Sequence, residues 1–334
     1  LVEYHLKRGT HMREITLTQR EEGKRFDRWL YKELPALPMS LGQKYLRLKR
    51  FKVNGKPAHK DTALHAGDVV SLYIGDEFFE KPREVDRFLA NFSWRLNRLY
   101  EDEHILLVEK PAGMIVHPDG DEKINTLLNH VRAYLYQSGQ WDSRAPDQFA
   151  PALCNRIDRF TGGIVIAAKT EAAMHAMNQK IRDREIGKYY LAIARGNVRP
   201  DEGLMDNYLL KPEGSRKVRI LDRPAPGAQR AQTAYRVLSR GRGLTLVECK
   251  LLTGRTHQIR AQFAHAGWPL LGDNQYGDFR DNARFDREYQ ALYAYRISFD
   301  FTSDAGVLGY LAGKSFSVCE APFVREYFPD VELP

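Results

Sequence analysis

The sequence lacks the features of several protein classes. Its purely apolar runs are short, such as Ile164–Ala168, and none approaches the ~20 residues that a membrane-spanning helix needs. Only three cysteines occur among 334 residues, and none forms a Cys-x-x-Cys pair, which disfavours both a thiolate zinc site and a disulfide framework. Glycine-rich phosphate loops of the dinucleotide or Walker type are also missing. We therefore expect no membrane partner, no metal and a reducing, cytoplasmic setting.

The charge of the chain is positive and unevenly distributed. Lys and Arg number 51 against 43 Asp and Glu, a net charge of +8. Between Lys24 and Lys60, eleven basic residues are opposed only by Asp27 and Glu33, a local net charge of +9. A solvated surface is the ordinary explanation of a basic stretch. The concentration of charge favours contacts with the phosphates of a nucleic acid instead.

Part of this basic stretch is predicted to lie on one helix. Ser40 is a plausible N-cap, and an apolar set follows it at helical spacing. Lys44, Arg47 and Arg50 fall at i, i+3 and i+6, on the side away from that apolar set. We expect these three residues to contact RNA phosphates.

The chain divides into segments of different pattern. Residues 1–12 resemble a cloning remnant, 13–75 predict two short helices and a small sheet, 76–97 read as a linker, and 98–334 form the remainder. In that last segment, strand-like apolar runs outnumber helical stretches and do not alternate strictly with them. One such run is expected at Met114–Val116. This pattern predicts an α+β fold with a mixed, mostly antiparallel central sheet and flanking helices.

A carboxylate between two arginines is the densest candidate for chemistry. Asp158 lies between Arg156 and Arg159, just before Thr161-Gly162-Gly163 and a buried strand. A nearby arginine favours the ionised carboxylate, and a positioned carboxylate can act at the anomeric carbon of a sugar. Asp before Thr-Gly-Gly is also ordinary turn chemistry, so the structural explanation stays open at this point.

Two further segments carry candidate binding groups. In Thr253–Arg260, Thr256 is a predicted helix N-cap, and a cation near a helix N-terminus calls for a compensating anion. The alternative is a pair of surface arginines, Arg255 and Arg260, beside a core His257. In the strand Gly187–Ala192, Tyr190 could stack on a nucleic-acid base, although a tyrosine in a strand is more often part of the core.

Taken together, these segments resemble the RluA-type pseudouridine synthases, in the branch that acts on large-subunit ribosomal RNA. The family's aspartate segment is matched by Asn155–Gly163, its Lys-x-Tyr-x-Ala segment by Lys188–Ala192, and its Thr-Gly-Arg-Thr-His-Gln-Ile-Arg segment letter for letter by Thr253–Arg260. The segments Lys110–Gly113 and Gly267–Asp273 also fit, in the family's order. The resemblance spans residues 100–323. The N-terminal block, 13–75, is similar to the small S4-like RNA-binding domain that precedes many of these enzymes.

The resemblance implies an activity and a role for each matched residue. Asp158 is implied as the catalytic carboxylate, either attacking the ribose anomeric carbon or removing a proton from the neighbouring carbon. Arg260 is implied as its ion-pair partner, and Tyr190 as the group that stacks on the target base. Arg156 is implied to fill the place of the flipped-out uridine. The reaction is an isomerisation without a redox step or group donor, so no cofactor is expected.

Further expectations and open alternatives follow from the same resemblance. We expect Arg255 and His257 to bind substrate. The expected RNA partner is 23S ribosomal RNA, with transfer RNA as the alternative. We expect the enzyme to be a monomer. A non-catalytic RNA-binding or ribosome-assembly factor of the same fold, and a glycosidase with Asp273 or Asp278 as a second carboxylate, are the competing functions. Asn155 and Gly162 stand where the family usually has His and Ser.

Overall fold

A computed structural model describes residues 5–6, 12–35, 37–79, 84–143, 145, 148–278, 282, 285 and 287–333. The chain forms two compact units. The first contains residues 1–94 and 129–150, and the second contains residues 95–128 and 151–334. No helix within these described ranges has the length and apolarity to cross a membrane.

The first unit combines a small sheet with short helices. Its strands, in the spatial order β1-β2-β5-β3-β4, are β1 His5–Leu6, β2 Arg13–Thr16, β3 Phe51–Val53, β4 Lys56–Pro57 and β5 Val69–Leu72. Its helices are α1 Phe26–Glu33, α2 Met39–Arg47 and α3 Glu84–Asn91. A hairpin joins β3 to β4 at Asn54-Gly55, where both residues adopt the positive φ that such a turn requires.

The core of the first unit explains why its helices form. Phe26, Trp29 and Leu30 share one face of α1 and are buried. The ring of Phe26 lies 5.8 Å from that of Phe51 on β3, so the helix covers the sheet through aromatic packing. The prediction of Ser40 as N-cap is wrong. Pro38 occupies that position, since its fixed φ suits the turn that precedes α2.

The second unit is built on a large sheet. Its strands are β6 Asn97–Glu101, β7 Ile105–Lys110, β8 Ala152–Leu153, β9 Gly162–Ala168, β10 Ile186–Arg195, β11 Glu202–Leu210, β12 Arg219–Leu221, β13 Gln229–Gly241, β14 Leu244–Leu251, β15 Leu292–Phe299 and β16 Ser315–Ser317. The order is β12-β11-β13-β14-β10-β15-β9-β7-β6, with β16 beside β15 and β8 beside β9. Among the described strands only β9 and β15 pair in parallel. The predicted α+β class with a mixed, mostly antiparallel sheet is therefore confirmed.

Helices α5 Glu171–Arg182 and α6 Gln258–His265 pack against this sheet, and α7 Pro322–Tyr327 belongs to the same unit. Helix α4 spans Leu127–Gln137, of which Leu127 and Leu128 are assigned to the second unit and the other residues to the first. Thr170 caps α5 by accepting a hydrogen bond from the Ala173 N–H, which explains why the helix begins there. The strand predicted at Met114–Val116 is wrong, because Ile115 makes only an isolated bridge with Thr126.

Candidate active site

One cleft of the second unit brings the sequence-predicted residues together. Its volume is about 610 Å³. Six predicted residues line it: Arg156, Asp158, Tyr190, Arg255, His257 and Arg260. They come from the β8–β9 loop, the middle of β10 and the start of α6, which are separate in sequence and meet only in the folded unit.

The loop that carries Asp158 is held by its backbone. The Asp158 carbonyl accepts a hydrogen bond from the Thr161 N–H (3.1 Å), which closes a turn. The next carbonyl, that of Arg159, accepts from the Gly113 N–H (2.8 Å) and from Lys110 Nζ (2.9 Å). The turn predicted from Asp-x-x-Thr-Gly-Gly is thus present, and it leaves the Asp158 carboxylate free to face the cleft.

A buried lysine supports this loop. Lys110 Nζ donates to the carbonyls of Pro111 (3.0 Å), Met114 (2.7 Å) and Arg159 (2.9 Å), so all three ammonium protons have an acceptor. Burial lowers the pKa of Lys110 to about 7, and the negative charge of Asp158 opposes that shift. The three carbonyl acceptors hold the Lys110 side chain beneath the loop that carries Asp158.

Arg260 connects Asp158 to a second carboxylate. Its Nη1 donates to Asp158 Oδ2 (3.1 Å), while Nε and Nη2 donate to Asp273 Oδ2 (2.7 Å) and Oδ1 (2.9 Å). Burial opposes the charge of Arg260, but the hydrogen bonds and charge of Asp273, followed by those of Asp158, outweigh it and raise the Arg260 pKa. The anion expected near the start of this helix is confirmed as a pair of carboxylates. The bidentate pair with Asp273 fixes the plane of the guanidinium.

The start of α6 differs from the prediction. Thr256 is not the N-cap, because His257 takes that position with a left-handed backbone (φ 55°) and no side-chain capping bond. Gln258 stabilises the turn instead, accepting hydrogen bonds from the Thr253 hydroxyl (2.8 Å) and the Arg255 N–H (3.1 Å). A non-glycine residue in this conformation stores backbone strain at the edge of the cleft.

His257 faces Asp158 from within the cleft. Its Nε2 lies 3.9 Å from Asp158 Oδ2, and its Nδ1 shares a hydrogen bond of 2.9 Å with the Tyr276 hydroxyl. Burial lowers the pKa of His257, with Asp158 opposing and Arg260 adding to the shift. Burial therefore disfavours the charged imidazolium, and the hydrogen bond with Tyr276 orients the ring.

Tyr190 forms part of the cleft wall. Its side chain is almost fully buried, and burial together with the charge of Asp158 raises the pKa of its phenol. Lys188 on the same strand and Leu292 on β15 also line the wall. Burial lowers the pKa of Lys188. A phenol that keeps its proton next to a carboxylate can donate a hydrogen bond or stack, but it is a poor base.

The charges that line the cleft are almost all positive. Asp158 is the single carboxylate among the lining residues. The motif comparison matched Lys188 but missed three other basic residues there: Arg182, Arg184 and Lys250. Their signal was weak because they come from the end of α5, the residues after it and β14 rather than from one contiguous motif. Neither Asp273 nor Asp278 lines the cleft, so the second carboxylate that a glycosidase needs is missing from the lining.

The two departures from the family pattern have structural explanations. Asn155 Oδ1 accepts a hydrogen bond from the Ile166 N–H (2.8 Å), so its side chain extends the β8–β9 pairing. At Gly162 a Cβ would lie 2.4 Å from Cε2 of Tyr293, whose hydroxyl donates to Glu109 Oε1 (2.5 Å). The tyrosine ring occupies the space that a serine side chain would need.

The remaining predicted residues lie in the first unit. Lys44, Arg47 and Arg50 are exposed, but Arg50 is not on α2 as predicted. The helix ends at Arg47, and the Arg50 guanidinium lies over the ring of Tyr45 (5.0 Å) just before β3. The first unit has its own cleft of about 1110 Å³, which Arg47 lines with Arg28, Lys49 and Lys60.

The chain is similar to known RNA-modifying enzymes. A model of the RNA pseudouridylate synthase family matches residues 104–265. The ribosomal large subunit pseudouridine synthase C of Escherichia coli (strain K12) is 31% identical over 278 residues, which cover 82% of this chain and 81% of that protein. The RNA pseudouridine synthase YlyB of Bacillus subtilis (strain 168) is 28% identical over 291 residues, covering 86% and 89%.

Solved structures show the same fold. Human RNA pseudouridylate synthase domain containing 4 has a TM-score of 0.56 at 21% identity, covering 71% of this chain and 94% of that one. Fold, cleft and sequence therefore define an isomerase that acts on RNA. The chain belongs to the RluA-type family of RNA pseudouridine synthases.

Proposed function

We propose that this enzyme converts uridines of 23S ribosomal RNA to pseudouridine, with Asp158 as the catalytic carboxylate. The observation that carries the proposal is that Asp158 is the single carboxylate among the described residues lining a basic cleft, 3.1 Å from the guanidinium of Arg260. The name of the Escherichia coli relative, a large subunit pseudouridine synthase, supports ribosomal RNA as the substrate.

The surroundings of Asp158 suit a carboxylate that must stay ionised and oriented. Arg260 contacts one carboxylate oxygen and is itself fixed by Asp273. Lys110 Nζ supports the loop from behind by donating to the Arg159 carbonyl. Preorganised charges of this kind stabilise the ionised acid without reorganisation during the reaction. Asp158 then acts either on the anomeric carbon or on the proton of the neighbouring ribose carbon.

The other cleft residues have roles in holding the target nucleotide. Tyr190 stacks on the detached base, and its raised pKa makes stacking or hydrogen-bond donation the preferred role over proton removal from C5. Arg156 is exposed at the cleft and enters the RNA where the uridine has flipped out. Arg255 and His257 complete the binding wall.

The first unit contributes RNA binding in this proposal. Residues 13–75 act as an S4-like domain, with Lys44, Arg47 and Arg50 contacting phosphates. Exposed basic side chains are suited to this task because neutralising phosphates releases counterions. Such contacts position the RNA without reading its sequence.

The test is to map pseudouridines in cellular RNA. Cells lacking the gene are compared with cells that carry the wild-type gene, Asp158→Asn or the control Asp330→Asn, an exposed acid that lines no described cleft. We expect specific 23S sites to disappear with the gene and to return with wild type and Asp330→Asn, but not with Asp158→Asn. If transfer RNA sites disappear instead, transfer RNA is the substrate rather than 23S ribosomal RNA. Full activity of Asp158→Asn would refute the catalytic assignment.

A further inference from the structure

The amide of Gln275 joins the Arg260 guanidinium to a surface loop. Its Oε1 accepts a hydrogen bond from Arg260 Nη2 (3.0 Å), and its Nε2 donates to the carbonyl of Arg216 (2.7 Å). Its backbone N–H donates to Asp273 Oδ1 (3.0 Å). Because both ends of the amide and the backbone are engaged, a shift of the Arg216 carbonyl changes the hydrogen bond to Arg260.

Tyr276 makes a second link between the same places. Its hydroxyl accepts a hydrogen bond from the Val218 N–H (2.9 Å) and shares one with His257 Nδ1 (2.9 Å). Its ring centroid lies 5.2 Å from Arg260 Cζ. Two consecutive residues thus connect backbone positions 216 and 218 with the two side chains that face Asp158.

The segment at the other end of these links is basic, and we name residues 211–223, which include the short strand β12, the basic loop. Val218 is buried among Leu209, Ala231 and Ala261, which anchors the loop to the sheet and to α6. Five basic side chains of the loop are exposed: Lys211, Arg216, Lys217, Arg219 and Arg223. The loop therefore directs its backbone towards Gln275 and Tyr276 and its cations towards solvent, where RNA phosphates would bind.

We propose that Gln275 and Tyr276 are positioning residues, which couple phosphate binding by the basic loop to the orientation of Arg260 at Asp158. The inference rests on the proposed role of Asp158. When phosphates next to the target uridine bind Arg216, Lys217 and Arg219, the loop backbone takes up one position. Through the two links, the position of the loop backbone sets the orientation of the Arg260 guanidinium and the His257 imidazole. When the RNA does not contact the loop, these two groups are less well oriented towards Asp158.

A purely structural role for Gln275 predicts something different. Arg260 is also bonded to Asp273 at two nitrogens and to Asp158 at a third, so removing the amide takes away its link to the Arg216 carbonyl but neither carboxylate partner. Coupling predicts a loss in kcat with little change in KM or thermal stability. A structural role predicts a fall in stability that accounts for any loss of activity.

The first experiment replaces the amide in two ways. Gln275→Met removes both hydrogen bonds, whereas Gln275→Glu keeps the acceptor for Arg260 and removes the donor to the Arg216 carbonyl. Turnover is measured by tritium release from [5-³H]uridine-labelled total RNA of cells that lack the gene. We expect kcat to fall about tenfold in both variants with KM within about twofold, the scale of one missing hydrogen bond. Wild-type kcat in either folded variant would overturn the inference.

The second experiment tests the coupling by a double-mutant cycle. Replacing Arg216, Lys217 and Arg219 together by Gln is expected to raise KM and lower kcat in the wild-type background. In the Gln275→Met background the same replacement is expected to raise KM and to lower kcat by a smaller factor than in the wild type, because one of the two links is already broken. Independent, multiplicative losses of kcat would show that loop and active site are not coupled.

Two controls separate this inference from the proposed function. Gln229→Glu makes the same amide-to-carboxylate change at an exposed position at the start of β13 and is expected to leave kcat unchanged. Asp158→Asn is assayed in parallel. If Asp158→Asn is inactive while the Gln275 variants turn over normally, only the positioning role fails. If Asp158→Asn turns over normally, the catalytic assignment itself has failed.

Discussion

The two clefts of this protein use positive charge in opposite ways. In the second unit, Arg260 is buried, and its planar guanidinium donates hydrogen bonds to the carboxylates of Asp158 and Asp273. In the first unit, Lys44 and Arg47 are exposed on α2 and have no acidic partner among the described residues. Buried charge positions a chemical group, while exposed charge attracts a polyanion.

This difference determines how each region responds to change. A buried ion pair depends on the shape of the side chain, because a broken bond leaves a desolvated charge uncompensated. An exposed basic surface depends on the number of charges and on salt, because each neutralised phosphate adds a similar increment. Substitutions that change geometry at constant charge should therefore affect the second unit most, and substitutions that remove exposed charge should affect RNA binding by the first unit most.

The largest expected effect comes from changing geometry while keeping charge at Arg260. Arg260→Lys retains the positive charge but cannot bond Asp158 and Asp273 at once, because an ammonium lacks the planar fork. We expect kcat to fall on the order of 100-fold, as when other preorganised donors are removed. Single-turnover rates on RNA from cells lacking the gene measure this. A rate within a few-fold of wild type would show that charge alone suffices.

A smaller effect is expected from the glycine beside the Asp158 loop. Gly162→Ser places a Cβ against the ring of Tyr293, so the loop must shift. We expect about a tenfold loss of kcat, the cost of roughly 1.4 kcal/mol in the barrier.

The paired variant Gly162→Ser with Tyr293→Ala provides the control for that prediction. Removing the ring opens the required space, so activity should recover relative to Gly162→Ser alone, measured below the unfolding temperature of each protein. If the double variant is as slow as the single one, the ring is not the reason for glycine at this position.

The smallest effect on turnover is expected from the exposed cations. Replacing Lys44, Arg47 and Arg50 by Gln should weaken RNA binding and leave single-turnover kcat at saturating RNA unchanged. The slope of log affinity against log salt should fall by about one for each phosphate that the variant no longer neutralises. Binding is followed by filter retention across a salt series.

A charge-matched variant of the second unit tests whether that effect is local. Arg199, Arg242 and Lys314 are exposed and line neither cleft. Their replacement by Gln removes the same total charge and should leave the salt slope nearly unchanged. An equal fall in slope for both triple variants would mean that net charge, rather than the surface of the first unit, governs binding.

Local patterns in the sequence were enough for most of the sheet and for much of the cleft. The apolar run at Ile164–Ala168 forms most of β9. Burial imposes such patterns directly, so they can be recognised without the fold. Helix caps were less predictable, because Pro38 and His257 displaced the expected Ser40 and Thr256.

The partners within the site came from long-range packing. The motif comparison indicated Asp158, Tyr190 and Arg260, but nothing in it identified Asp273 as the bidentate partner of Arg260. Gln275 was also missed, since its two bonds reach residues 15 and 59 positions away. Hydrogen bonds between residues so far apart in the chain produce no recognisable pattern in a single sequence.

Residue type and local spacing account for the alternation of apolar and polar residues, the sign of the charge and the choice of candidate site residues, because none of these requires the fold. The tertiary structure alone decided which charges are paired and which stay exposed. That choice depends on burial, and burial arises only when strands β9, β10, β14 and β15 assemble and bring their connecting loops to one cleft.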